Sequence, residues 1–88
     1  MAQHYVYLIE CRDQSIYTGY TTNLKRRMHE HATGDPKSAK YVKSRGFSRL
    51  LYSEIHESKS SAMQREHEIK QLRRADKFNL INSLNKFQ

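Results

Sequence analysis

The sequence predicts a small α+β domain, a three-stranded sheet, antiparallel or mixed, flanked by helices. Three observations lead there. Two short runs rich in aromatic and β-branched residues, 4–11 and 15–20, lie only a few residues apart. That gap allows a hairpin and is far too short for a crossover helix. A third run of this kind, 48–56, follows two segments with helical signals. The chain has 88 residues, which supports one thin core and one domain over 1–88.

Each element has a local reason. "HYVYLIEC", 4–11, reads as the first strand, and "RDQS" as its turn, because Asp favours turn positions. "SIYTGY", 15–20, is the second strand. Its register stays open. A two-residue loop would set Tyr17 opposite Glu10, with Tyr7 on the other face. A three-residue loop would set Tyr17 opposite Cys11, on the face of Tyr7. Asn23 caps a helix over 24–33, which Gly34 and Asp35-Pro36 end. "SAKYVKSRG" forms a short helix ending near Gly46, and "SRLLYSEIH", 48–56, the third strand. One of Ser58, Ser60 and Ser61 caps a longer helix to about residue 73. "DKFNLINSL" closes the chain as a helix with Phe78, Ile81 and Leu84 inward.

Charge points to a polyanion. Lys and Arg total 16 against 9 acids, a net charge of +7. Nucleic acid and an acidic membrane surface both fit that balance, as does a basic adaptor for a protein partner. The excess is concentrated: residues 21–49 hold eight basic side chains and only two acids, Glu30 and Asp35. The single cysteine, Cys11, excludes an intramolecular disulfide, and no C-x-x-C pair suggests zinc. No apolar run approaches the ~20 residues of a membrane span. The first residues lack the basic and long apolar regions of a signal peptide, so a cytoplasmic protein is expected.

Several side chains stand where a core alone would not place them. Leu24, Met28 and His31 share one face of the first helix, and Arg27 joins it. The plain alternatives are a snorkelling arginine and a satisfied, partly buried histidine. His29 and His31, two apart, point in different directions and make no metal clamp. Lys25 and Arg26 point elsewhere, as phosphate contacts or solvated charges. In the later helix Ala62, Ile69 and Leu72 mark an apolar stripe, and Glu66 falls within it, while His67 and Glu68 face solvent. A carboxylate there needs a partner or a bound cation, an arginine of the first helix being the structural alternative. Tyr5 and Tyr7 share a strand face, and Tyr17 and Tyr20 end the second strand on opposite faces. Gly19 leaves room for backbone or ligand to approach.

Taken together, "YVY" at 5–7, "YTG" at 17–19, Arg27 ten residues after Tyr17, His31 four later and a helical Glu66 form an ordered set. In this set the chain resembles the GIY-YIG nuclease family, and specifically its small stand-alone members, to which "AKYVKSRG" and "AMQREHEIK" are also similar. The resemblance covers nearly the full length. It implies metal-dependent hydrolysis of phosphodiester bonds in nucleic acid, DNA ahead of RNA, branched or single-stranded, on a three-stranded antiparallel sheet. Tyr17 then matches the tyrosine that assists proton removal from water, and Tyr7 the one that positions water or phosphate. Arg27 matches the arginine on the scissile phosphate. His31 matches a position near the attacking or leaving oxygen, with a possible relay role. Glu66 matches the lone metal-binding carboxylate, for Mg²⁺ or Mn²⁺. Tyr5, Tyr20, Lys25, Arg26, Lys37, Lys40, Lys43 and Arg45 are the expected nucleic-acid contacts, and Gly19 a structural residue. No membrane or protein partner is expected. The sequence departs from the family pattern twice. Tyr5-Val6 stands where Gly-Ile names the family, and Tyr20 where DNA-repair members carry lysine. A nucleic-acid-binding module that keeps the fold without cutting is the alternative function.

Overall fold

The computed structural model describes residues 3–85, with side chains through Ser83. The expected inward position of Leu84 lies outside the described side chains. The element order is β1 (His4–Cys11), β2 (Ile16–Thr21), α1 (Leu24–Thr33), α2 (Lys40–Arg45), β3 (Phe47–His56), α3 (Lys59–Gln71) and α4 (Arg74–Asn85). The strand order is β2-β1-β3 and both pairings are antiparallel, so the sheet is not mixed.

Central β1 is covered on both faces. Val6, Tyr7, Leu8 and Ile9 are all fully buried, which explains why the strand reads as a continuous apolar run rather than an alternating one. Val6 and Leu8 pack with Tyr52, Ala62, Ile69 and Ile81 on one side. Tyr7, Ile9 and Cys11 pack with Val42 on the other, joined by Tyr17, Leu24, Met28 and Phe47. Each buried aliphatic side chain contributes about 1.5–3 kcal/mol. The sheet therefore separates an α3/α4 layer from an α1/α2 layer.

Local signals set the helix ends. The Asn23 side chain accepts from the Arg26 N–H at 3.0 Å, and Gly34 closes α1 at φ 69°, with its N–H donating to the Glu30 carbonyl. Of the three candidate serines, Ser58 caps α3, its Oγ accepting from the Ser61 N–H at 3.1 Å. Two ends differ from expectation: α3 stops at Gln71 and α4 begins at Arg74, ahead of "DKFNLINSL". Phe78 and Ile81 do pack inward.

Neither expected hairpin register holds. Tyr17 pairs with Ile9, not with Glu10 or Cys11. Arg12, Asp13 and Gln14 form the turn, with the Cys11 N–H donating to the Ser15 carbonyl at 2.9 Å and Gln14 at φ 71°. The loop has the three residues of the second expectation, but with Cys11 opposite Ser15 a three-residue loop sets Tyr17 opposite Ile9, two positions from the Cys11 expected. Tyr17 still shares the face of Tyr7, since Tyr7 and Ile9 are two apart on one strand.

Candidate active site

Tyr7 sits at the junction of three elements. Its hydroxyl lies 2.8 Å from His31 Nε2, and Arg27 Nε donates to it at 3.4 Å. β1 supplies the tyrosine and one turn of α1 supplies both partners, because Arg27 and His31 are i, i+4 neighbours. His31 Nδ1 lies 2.6 Å from Ser38 Oγ in the segment before α2. Thus both ring nitrogens of His31 are engaged, and the ring stacks on Phe47 at 6.3 Å between centroids. The buried, satisfied histidine expected as the plain alternative is what the fold builds, and it is also part of the cluster.

Gly19 makes the Tyr7 position possible. Gly19 pairs with Tyr7 across the strands, and the Tyr7 ring lies over it. A Cβ at Gly19 would fall on the Tyr7 hydroxyl and within 2.9 Å of Tyr17 Cε2. The glycine of "YTG" is thus a seat for the tyrosine of "YVY".

The electrostatics keep the Tyr7–His31 pair neutral at rest beside the Arg27 cation. Burial pushes the Tyr7 phenol up to about 12, against the Arg27 hydrogen bond. Burial, then the Arg27 charge, pushes His31 down to about 4. Between those values the pair is a phenol and a neutral imidazole. Arg27 donates to the Tyr7 oxygen, so the phenol proton points to His31 Nε2. That order makes His31 the Nδ1–H tautomer, donating to Ser38. Burial also raises Tyr17, opposed by the Arg27 charge and reinforced by Glu66.

Arg27 is held as well as placed. Its Nη1 donates to Glu30 Oε1 at 3.0 Å and to the Lys37 carbonyl at 2.7 Å. Burial works against its charge, yet the bonds to Tyr7 and Glu30 outweigh burial and raise its pKa. The side chain is one-fifth exposed, which leaves the guanidinium an open side for an anion.

Glu66 stands on α3, and its charge reaches both Tyr7 and Tyr17. Its ionic partner is Lys70 at 3.7 Å, one turn on, not an arginine of α1. Among the described residues no cluster of three or more His, Cys, Asp or Glu could enclose a metal. Glu66, largely buried, offers a single carboxylate of the kind Mg²⁺ takes while keeping most of its waters.

The remaining expected contacts spread around this centre. Lys25, Arg26, Lys37, Lys40, Lys43 and Arg45 are exposed, with Arg26 also 3.8 Å from Glu30. Arg45 is bound to Asp13 at 2.6 Å. Tyr20 is not on the Tyr7 face. It packs toward the α3 layer, and its hydroxyl lies 2.8 Å from His4 Nδ1. Sequence reasoning missed Ser38, Glu30 and Tyr41. Tyr41 lies 5.7 Å from Tyr17 between centroids, under the Arg45 guanidinium at 4.3 Å, and extends the aromatic row to the surface. Its i, i+4 spacing to Arg45 was the available signal.

The sequence profile of the GIY-YIG catalytic domain matches residues 3–80. The chain belongs to the GIY-YIG family. A UPF0213 protein of Natronomonas pharaonis is 52% identical over 80 residues, covering 91% of this chain and 92% of that one. A UPF0213 protein of Oceanobacillus iheyensis is 54% identical over 79 residues, covering 90% of each. The solution NMR structure of a UPF0213 protein from Bacillus halodurans matches with a TM-score of 0.57 at 47% identity, over 91% of this chain and 83% of that one. These relatives share the small size of this GIY-YIG chain. None of its described helices is long and apolar enough to cross a membrane.

Proposed function

We propose that this GIY-YIG domain is a divalent-metal-dependent endonuclease that hydrolyses phosphodiester bonds in nucleic acid, with DNA the expected substrate ahead of RNA. The observation that carries the reading is the buried Tyr7 hydroxyl, bonded at once to Arg27 and to a neutral His31. Satisfying a buried hydroxyl needs only one such partner, and here it has both a fixed cation and a proton acceptor.

Each residue then has a task. Arg27 binds two non-bridging phosphate oxygens and cannot lose its charge. Tyr7 takes the proton of the attacking water as it passes its own proton to His31 Nε2. The bond from water oxygen to phosphorus forms while the bond to the leaving strand oxygen breaks. The developing negative charge is stabilised by Arg27, whose place is fixed by Glu30 and the Lys37 carbonyl. Ser38 holds the His31 ring in the accepting tautomer. Tyr17 walls the site, and its higher exposure suits a water or phosphate contact. The hydrogen bonding favours Tyr7 over Tyr17 for the proton. Glu66 would hold Mg²⁺, which when bound supplies charge neutralisation at the phosphate and leaving oxygen. The exposed lysines and arginines around α1 and α2 track the strand. A cytoplasmic setting goes with this reading.

Three substitutions test the assignment: Tyr7→Phe, Tyr17→Phe and His31→Gln, assayed on labelled single-stranded, duplex and branched DNA and on RNA. Tyr7→Phe is expected to abolish cleavage and His31→Gln to lower it at least 100-fold, on the scale of general-base catalysis. Tyr17→Phe keeps the larger residual activity. Full cleavage by Tyr7→Phe would overturn the proton path.

A further inference from the structure

A second feature, lined by none of the cluster's residues, lies at the start of α1. An open groove of about 460 Å³ runs between the start of α1 and the sheet, lined by Tyr5, Leu24, Lys25, Met28 and Leu50 among others. Its walls are apolar, and Leu50 is two-fifths exposed, one of three exposed large hydrophobics among the described residues. Tyr5 shares the face of Tyr7, about 7 Å along β1. Met28 follows Arg27 directly in α1. Lys25 and Met28 place the groove on the same helix as Arg27.

Resting on the nuclease reading, we propose that the groove takes an unstacked base of the bound strand. A base has apolar faces and hangs from an anionic backbone. The groove offers an aromatic ring and aliphatic walls for the faces, with the Lys25 ammonium at its rim for the backbone. An apolar peptide side chain would fit the walls but leaves the lysine without a purpose. Sequence tolerance follows, because every base has a π-face. A preference for an unpaired nucleotide at this position also follows, because a paired base cannot enter.

The test uses the full chain in chelator, so that binding is read without turnover. Protein carrying ¹³C-methyl methionine is titrated with an eight-nucleotide single-stranded DNA and with the same oligomer made abasic throughout. The Met28 methyl signal is assigned with Met28→Leu. The intact oligomer is expected to move that signal upfield through the ring current of a stacked base, and the abasic one is not. Tyr5→Leu is expected to weaken binding roughly 5- to 150-fold, the range for one lost base stack. Leu50→Ser, at an exposed position, is expected to weaken it in the same direction and keeps the test open should Tyr5→Leu misfold. Binding of the intact oligomer with Met28 unmoved, and with both variants equal to wild type, would overturn the groove assignment and leave the nuclease reading standing. No binding of any oligomer would overturn both.

Discussion

Replacing Gly19 by alanine tests the seat on which the site rests. The new Cβ would lie on the Tyr7 hydroxyl and 2.9 Å from Tyr17 Cε2. Tyr7 is fully buried, so its ring has no free volume to enter. Overpacking of this kind costs about 1–3 kcal/mol. If the ring shifts, the bonds from its hydroxyl to His31 and Arg27 are lost, and buried partners left unpaired cost about 1–3 kcal/mol more. The expected loss is about 2–6 kcal/mol by urea denaturation, a large part of the stability of a small domain. Cleavage should fall at least 100-fold, because a shift of about 1 Å at a catalytic group costs that much. The cause is isolated by a double-mutant cycle with Tyr7→Leu, which removes the ring. The double variant should be more stable than the sum of the single effects predicts, by about 2 kcal/mol. Strict additivity would refute the argument that Gly19 exists to seat Tyr7.

Other expectations follow from the same geometry. His31 titrates near 4 in the folded chain and near 6.5 when unfolded. The unfolded state therefore takes up the proton first, and stability complete above pH 6.5 falls by about 3 kcal/mol as pH drops toward 4. Equilibrium denaturation should show this slope for wild type and lose most of it in His31→Gln. Thr18 Oγ1 is buried, and among the described residues it has no hydrogen-bond partner. Thr18→Val should therefore raise stability by about 1 kcal/mol in the same assay. Glu30→Gln releases one of the anchors on Arg27. It should lower cleavage about tenfold while changing stability by less than about 1 kcal/mol.

Much of the fold was legible because its signals are local. Asn23, Gly34 and Ser58 each act within one turn of helix, and the buried run of β1 announces its two covered faces. The hairpin loop was legible only as one of two lengths, of which the three-residue one forms. It depends on Gln14 adopting a left-handed conformation that its residue type does not favour. The residues of the Tyr7 cluster could be singled out in the sequence, but not their wiring. Arg27 and His31 stand out by helical spacing and Tyr7 through the family resemblance, but the bond between Tyr7 and His31 depends on how α1 crosses the sheet. Ser38 and the Lys37 carbonyl reach the cluster only through the segment before α2, which carries no periodic signal. Tyr20 shows the opposite case. Strand alternation placed it across from Tyr17, and its ring turns to His4 and the α3 layer.

The central claim is cleavage of a phosphodiester bond by one carboxylate-held metal ion beside Arg27. The most direct measurement compares wild type with Glu66→Gln on labelled DNA, with Mg²⁺ or with chelator. Glu66 is tied only to the half-exposed Lys70 among the described contacts, so the variant should lose less than about 1 kcal/mol of stability. The account predicts Mg²⁺-dependent cleavage by wild type, none by Glu66→Gln, and equal binding of DNA by both in chelator. Binding by wild type without cleavage in Mg²⁺ or Mn²⁺, or cleavage undiminished in Glu66→Gln, would contradict it.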